Sequence, residues 1–136
     1  MNKGLLDEAL GSYNQALEIN PDSQPALMSK GLIASAQGQF DAAIQAFDSL
    51  LKLNPDEMRA RLSRAFAYGQ VRQFEKAVAD YNHVTDKLGQ RTGEILYFKA
   101  IALANAGQKS EACSHLTEAI EKGYQNAVDL KNQVCQ

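Results

Sequence analysis

Apolar residues recur along most of this chain at spacings of three and four, the period of a helix with one buried face. In the first segment, Ala9, Tyr13, Ala16 and Leu17 fall on one such face. The pattern is interrupted at regular places. Asn20-Pro21 and Asn54-Pro55 stop a helix, because the residue before a proline resists the helical backbone region. Gly38 and Gly107 stand between two helical stretches, where a tight hairpin needs a residue tolerant of positive φ. The elements predicted are short helices joined by tight turns, and no alternating strand pattern competes with them.

The interruptions are periodic. The segments GLLDEALGSYNQALEINP, GQFDAAIQAFDSLLKLNP, RQFEKAVADYNHVTDKLG and GQKSEACSHLTEAIEKGY begin at Gly4, Gly38, Arg72 and Gly107, at steps of 34, 34 and 35 residues. That register aligns Ala9, Ala43, Ala77 and Ala112, and it aligns Tyr13, Phe47, Tyr81 and Leu116. A second unit, PALMSKGLIASAQ, RARLSRAFAYGQV and EILYFKAIALANA, repeats between them and aligns Gly31, Ala65 and Ala100. Each period therefore holds two helices, A and then B. The small columns let helix backbones approach closely, and the large side chains of the Tyr13 column fill the space beside them.

The 34-residue period, the small columns, the aromatic column and the closing proline together resemble the tetratricopeptide-repeat family across essentially the whole chain. The resemblance implies an all-α, right-handed α-solenoid of antiparallel helix pairs, with about eight helices. The chain departs from the family pattern in places. Arg72 replaces a hairpin glycine, Gly89 and Tyr124 replace the proline, and one extra residue enters near Gln90-Arg91-Thr92-Gly93. Arg61 stands in a column that holds Leu27 and Leu96 elsewhere. A looser third repeat is expected from these changes. The array divides as 4–21 (a B helix without its A helix), 24–55, 58–89, 93–123 and a capping helix over 125–136.

Composition narrows the function. The chain has 45% hydrophobic and 22% charged residues with a net charge of −2, so no basic field would attract nucleic acid or an anionic membrane. No apolar run approaches the ~20 residues of a membrane span, and the N-terminus shows no signal peptide. No nucleophile has a base and an orienting group at a recognised spacing, and no Gly-rich phosphate loop appears. His83, His115, Cys113 and Cys135 form no metal-ligand spacing. No enzyme activity, cofactor or metal is expected. Asp7-Glu8 and Asp56-Glu57 lie near helix starts, where carboxylates suit the macrodipole. The aligned Lys30, Arg64 and Lys99 are read as half-buried stems whose charges reach water.

In the family the A helices line a concave groove that takes peptide or helical segments of other proteins. The resemblance assigns Met28, Leu32, Leu62, Phe66, Gln70, Tyr97, Ile101 and Asn105 to that face. Some members grip acidic chaperone tails with lysines and asparagines. Those columns here hold Met28, Leu62, Tyr97 and Leu32, Phe66, Ile101, with Ser29, Ser63 and Phe98 beside them, so that clamp is missing. What remains is an apolar groove with a polar lower edge, suited to an amphipathic helix or apolar peptide. The alternative is that part of this stripe packs between neighbouring A helices.

Two further features bear on assembly. The first B helix carries Leu5, Leu6, Leu10 and Tyr13 with no preceding A helix to cover them, a candidate edge for homodimer formation. Cys113 and Cys135 lie on the last B helix and on the cap; two separate thiols is the preferred reading, and a disulfide the alternative. The default compartment is cytoplasmic, with a periplasmic or secreted setting if the cysteines are bridged. The function expected is a protein-binding adaptor or scaffold. A structural segment that self-associates through its terminal helices is the alternative.

Overall fold

The computed structural model describes residues 3–135. Its helices are α1 (Lys3–Ile19), α2 (Gln24–Ala36), α3 (Phe40–Leu53), α4 (Met58–Gln70), α5 (Phe74–Asn82), α6 (Gly93–Asn105), α7 (Lys109–Glu121) and α8 (Ala127–Val134). The described residues contain no strand. The all-helical expectation holds. The chain forms two compact units, divided between Val71 and Arg72. The first therefore contains α1 to α4 and the second α5 to α8.

In the first unit, α2 and α3 form a helical hairpin. Ser23 caps α2 by accepting a hydrogen bond from the Ala26 backbone N–H at 3.4 Å, and a proline occupies its first turn. The helix ends at Ala36, and Gly38, whose φ of +75° is left-handed, lets the chain reverse within three residues. Gln39 N–H then donates to the Ala34 carbonyl at 2.8 Å, satisfying an end of α2 that would otherwise lack a partner. The core joins Leu27, Ala34, Ala43, Phe47, Leu50, Leu51 and Ala60, with Leu17 of α1 and Met28 packed against it. Phe47 is fully buried, and burying such a ring contributes roughly 1.5–3 kcal/mol. Glu57 caps α4 through the Arg59 N–H at 3.3 Å, which is the role expected of a carboxylate at a helix start. Arg61, out of place in its column, reaches back and donates from Nε to the Pro55 carbonyl at 3.0 Å.

In the second unit, α6 and α7 repeat that hairpin. Thr92 caps α6 by accepting from the Ile95 N–H at 3.2 Å. Gly107, at φ +84°, turns the chain, and Gln108 N–H donates to the Leu103 carbonyl at 2.8 Å. Leu96, Ala100, Leu103, Ala112, Leu116 and Ala119 are buried. Ala112 and Leu116 thus occupy the same environments as Ala43 and Phe47 one unit earlier, as their shared register requires.

Most of the departures fall in or beside the third repeat. Arg72 keeps the positive φ of the glycine it replaces, at 62°. The B helix α5 ends after nine residues and continues as a π-helical turn, His83–Lys87. A π turn spends an extra residue per turn. The extra residue of the period follows a few positions later, at Gln90 to Gly93. Thr85 falls in this turn at the register position that holds buried Leu51 in the second repeat.

That substitution changes Lys99. It was expected to send its charge to water, and it does not. Lys99 is 3% exposed and its Nζ donates to Thr85 Oγ1 at 3.0 Å. Burial lowers its pKa, with Asp86 pulling the other way. Its column-mate Arg64 stays half-buried, pairs with Asp48 at 2.7 Å and lies over the Tyr68 ring at 5.5 Å. The difference follows from the neighbours: Asp48 offers Arg64 a carboxylate near the surface, and Thr85 offers Lys99 a hydroxyl inside.

Candidate protein-binding faces

The predicted groove residues sit on three A helices. In the first unit, α2 carries Met28 and Leu32, and α4 carries Leu62, Phe66 and Gln70; these two helices touch. Met28 and Leu62 are half-buried. Leu32 is 38% exposed and Phe66 is 48% exposed. Phe66 does not stand alone. The ring of Phe40, at the start of α3, meets it edge-on with centroids 6.1 Å apart and planes at 68°. This contact holds one side of the Phe66 ring and leaves the other open. The sequence carried a signal for Phe40 that went unused: Gln39-Phe40 and Gln73-Phe74 recur at the same place after the hairpin residue.

In the second unit, α6 carries Tyr97, Ile101 and Asn105. Tyr97 and Ile101 are half-buried and Asn105 is exposed. Tyr97 is held by two rings, Phe98 at 5.3 Å and Tyr124 at 5.2 Å. Tyr124, the residue in the proline position, therefore serves as a packing partner for α6. It lies so close to Gly93 that a Cβ there would come within 2.7 Å of the Tyr124 Cβ. Phe98, beside the predicted stripe, is 37% exposed.

Reasoning from the sequence missed a cleft in the first unit. It measures about 690 Å³ and is lined by Asn20, Asp22, Ser23, Gln24, Pro25, Met28, Leu50, Glu57 and Arg59. Met28 and Leu50 form its apolar part, and the two turns before α2 and α4 supply the rest. Met28 thus belongs both to the cleft and to the A-helix face. The cleft depends on two turns of different repeats, whose approach no periodic pattern reveals.

The predicted self-association edge lies on α1. No residue of this helix is fully buried. Leu5 is 63% exposed, while Leu6, Leu10 and Tyr13 are half-buried. α1 is tied to α2's end by Gln37, whose Nε2 donates to Asp7 Oδ1 at 2.8 Å. The cysteines are bonded: Cys113 and Cys135 form a disulfide with Cα atoms 5.8 Å apart. The preference for two separate thiols is therefore corrected. The facing of two helices decided it, and a sequence does not display facing.

Unpredicted ionic contacts join the loop before α6 to α7. Arg91 donates from Nη2 to Glu118 Oε1 at 2.7 Å and from Nε to Oε2 at 3.1 Å. Its Nη1 also reaches Asp86 at 3.3 Å. Lys122 lies 3.4 Å from Glu118 Oε2 and donates to the Arg91 carbonyl. The Arg91 hydrogen bonds hold the Glu118 carboxyl at about 2, well below the usual range. His115 on α7 is pushed down, first by burial and then by the Lys99 and Arg91 charges. Among the described residues, no group of three His, Cys, Asp or Glu could hold a metal ion. No described helix is long and apolar enough to cross a membrane.

Residues 28–68 match the family model described as tetratricopeptide repeat. No curated protein matches the chain. Among solved structures, a crystal structure of MamA is similar with a TM-score of 0.85 at 18% identity, covering 92% of this chain and 74% of that one. A MamA chain described as "41-end", from Desulfovibrio magneticus RS-1, gives 0.81 at 16% identity, covering 98% and 85%. At such identities the likeness is one of fold. Residues 28–68 thus carry a tetratricopeptide repeat, set in an all-helical chain of repeated hairpins.

Proposed function

We propose that this chain is a non-catalytic adaptor whose A-helix face, in the first unit, binds an amphipathic helix or an apolar extended segment of a partner protein. The repeat fold is that of a protein–protein interaction or scaffold module. The observation that carries the finer reading is Phe66. A phenylalanine 48% exposed, backed by Phe40 and flanked by Leu62, is an apolar anchor held in place before any partner arrives. Leu32, on the touching helix α2, extends the same surface. On α6, Tyr97 and Ile101 with Asn105 below them form a comparable face within the second unit. Gln70 and Asn105 give the two faces a polar lower edge.

The test compares pull-downs by the wild type and by a Leu62→Asp/Phe66→Asp variant, with the oligomeric state of both measured in parallel. Loss of a partner without change of oligomer supports the adaptor. Equal recovery of the same partners moves the binding surface elsewhere.

A second reading is self-association through α1, favoured by the exposure of Leu5 at 63% and Ile19 at 88%. Apolar side chains grouped on one helix are usually covered in soluble assemblies, and two-fold pairing is the commonest way. Sedimentation at protein concentrations of about tens of micromolar tests it. A dimer that Leu5→Lys dissociates supports this reading. A monomer at every concentration removes it.

A further inference from the structure

The capping helix α8 is held at its two ends by different means. At its start, Ala127 is fully buried, and the turn before it is closed by hydrogen bonds from Tyr124 N–H to the Ala119 carbonyl at 3.0 Å and from Ala127 N–H to the Tyr124 carbonyl at 3.1 Å. Tyr124 is itself packed on Tyr97. At its end stands Cys135, bonded to Cys113 of α7 across 22 residues of sequence. Between these anchors α8 buries little. Ala127 is its one fully buried residue, Val128, Leu130 and Val134 are half-buried, and Asp129, Asn132 and Gln133 are exposed. Eight residues are also too few for a helix to persist unaided, since isolated helices shorter than ~12–15 residues are marginal in water. The covalent bond thus supplies what packing does not at the C-terminal end.

From this arrangement we propose that the Cys113–Cys135 pair is a redox-controlled latch: the disulfide holds α8 closed on α7, and its reduction releases the C-terminal part of the cap. Both cysteines are half-buried, so an attacking thiolate can reach the bond. The reaction is thiol–disulfide exchange with a dithiol reductant. Its thiolate attacks one sulfur, the Cys113–Cys135 bond breaks, and a mixed disulfide forms. The second thiol of the reductant then displaces the remaining cysteine. The chain ends with two thiols and the reductant with one disulfide, so two electrons and two protons pass to the protein. Opening uncovers Val128, Leu130 and Val134, together with the strip of α7 that they cover. In a helical-repeat array that strip is where a further helix would dock. Oxidised, that strip is covered by α8; reduced, it is open to a docking helix.

Amide hydrogen exchange on the intact chain, oxidised and then reduced with dithiothreitol, tests the latch. A Cys113→Ser/Cys135→Ser variant serves as the redox-insensitive control. Reduction is expected to accelerate exchange in residues 128–134 by about a hundredfold, the scale of losing a cross-link over this loop length. Exchange in α6 and in the body of α7 should remain slow. The double serine variant should show the fast pattern under both conditions. Unchanged protection in α8 on reduction would overturn the proposal. So would a loss of protection throughout α6 and α7, because the bond would then support the whole unit rather than latch its cap.

Discussion

Phe47 of α3 lies against the bare α-carbon of Gly31 on α2. A Cβ added at residue 31 would come within 2.6 Å of the Phe47 Cζ. No ordinary contact is so short, and Phe47 is fully buried. The glycine is therefore set by the ring, and the pair fixes how closely the two helices of this repeat approach.

Gly31→Ala should destabilise the first unit. The added methyl gains ~1 kcal/mol of helix propensity but overpacks the ring at a cost of about 1–3 kcal/mol. The expected net loss is up to ~2 kcal/mol, read from the midpoint of urea unfolding. Pairing it with Phe47→Leu, which frees space, should recover part of that loss. Additive losses in the double variant would show that the two residues do not share one space.

The Arg91–Glu118 pair predicts a pH dependence. The carboxyl of Glu118 titrates at about 2 in the folded chain against an ordinary value of 4.5, because Arg91 hydrogen-bonds its charged form. A depressed folded pKa gives stability that is fully present above the unfolded value. It is lost as pH falls from about 4.5 through about 2. Glu118→Gln should cost about 1 kcal/mol at pH 7, the scale of a partly exposed two-bonded pair. The difference from wild type should shrink below pH 4.5 and vanish near pH 2. Thermal unfolding of both proteins across that range supplies the comparison.

Lys99 predicts the opposite kind of effect. Burial lowers its pKa, so the folded state disfavours its ammonium form. Lys99→Met keeps the stem and removes the charge. Thr85 keeps Asp86 Oδ1 as a partner, at 3.0 Å. The substitution should therefore stabilise the second unit by about 1 kcal/mol, as replacement of a buried charge by a matched apolar side chain often does. The gain should diminish as pH rises and the wild-type ammonium deprotonates. A lower melting midpoint for Lys99→Met would mean that the Lys99–Thr85 bond contributes more than desolvation costs.

What the sequence disclosed and what it hid divide along one line. Ala43, Ala77 and Ala112 recur at a nearly fixed period, so their shared burial is legible in the sequence alone. The same holds for Gly31, Ala65 and Ala100, because close helix approach leaves room for nothing larger. The residues predicted for a groove were placed on their helices by the same register, since side-chain direction follows position in a regular helix. The hidden features are those that occur once. The π turn and the extra residue after it break the period, and Thr85 then meets Lys99 in a way no other repeat repeats. Arg91 finds Glu118 across 27 residues. Cys113 meets Cys135 only because α8 folds back on α7. Phe40 is the exception, a periodic aromatic whose contact with Phe66 could have been inferred.

The central claim is that the A-helix face of the first unit is where a partner protein is held, with Phe66 as its anchor. Its most direct test is the affinity of a partner captured by the wild type, measured by isothermal titration against the wild type and Phe66→Ala, with circular dichroism to verify the fold. The account predicts an unchanged helical spectrum and a loss of more than about 1 kcal/mol, roughly a fivefold or greater weakening, as for an exposed aromatic anchor. An affinity equal to that of the wild type would contradict it.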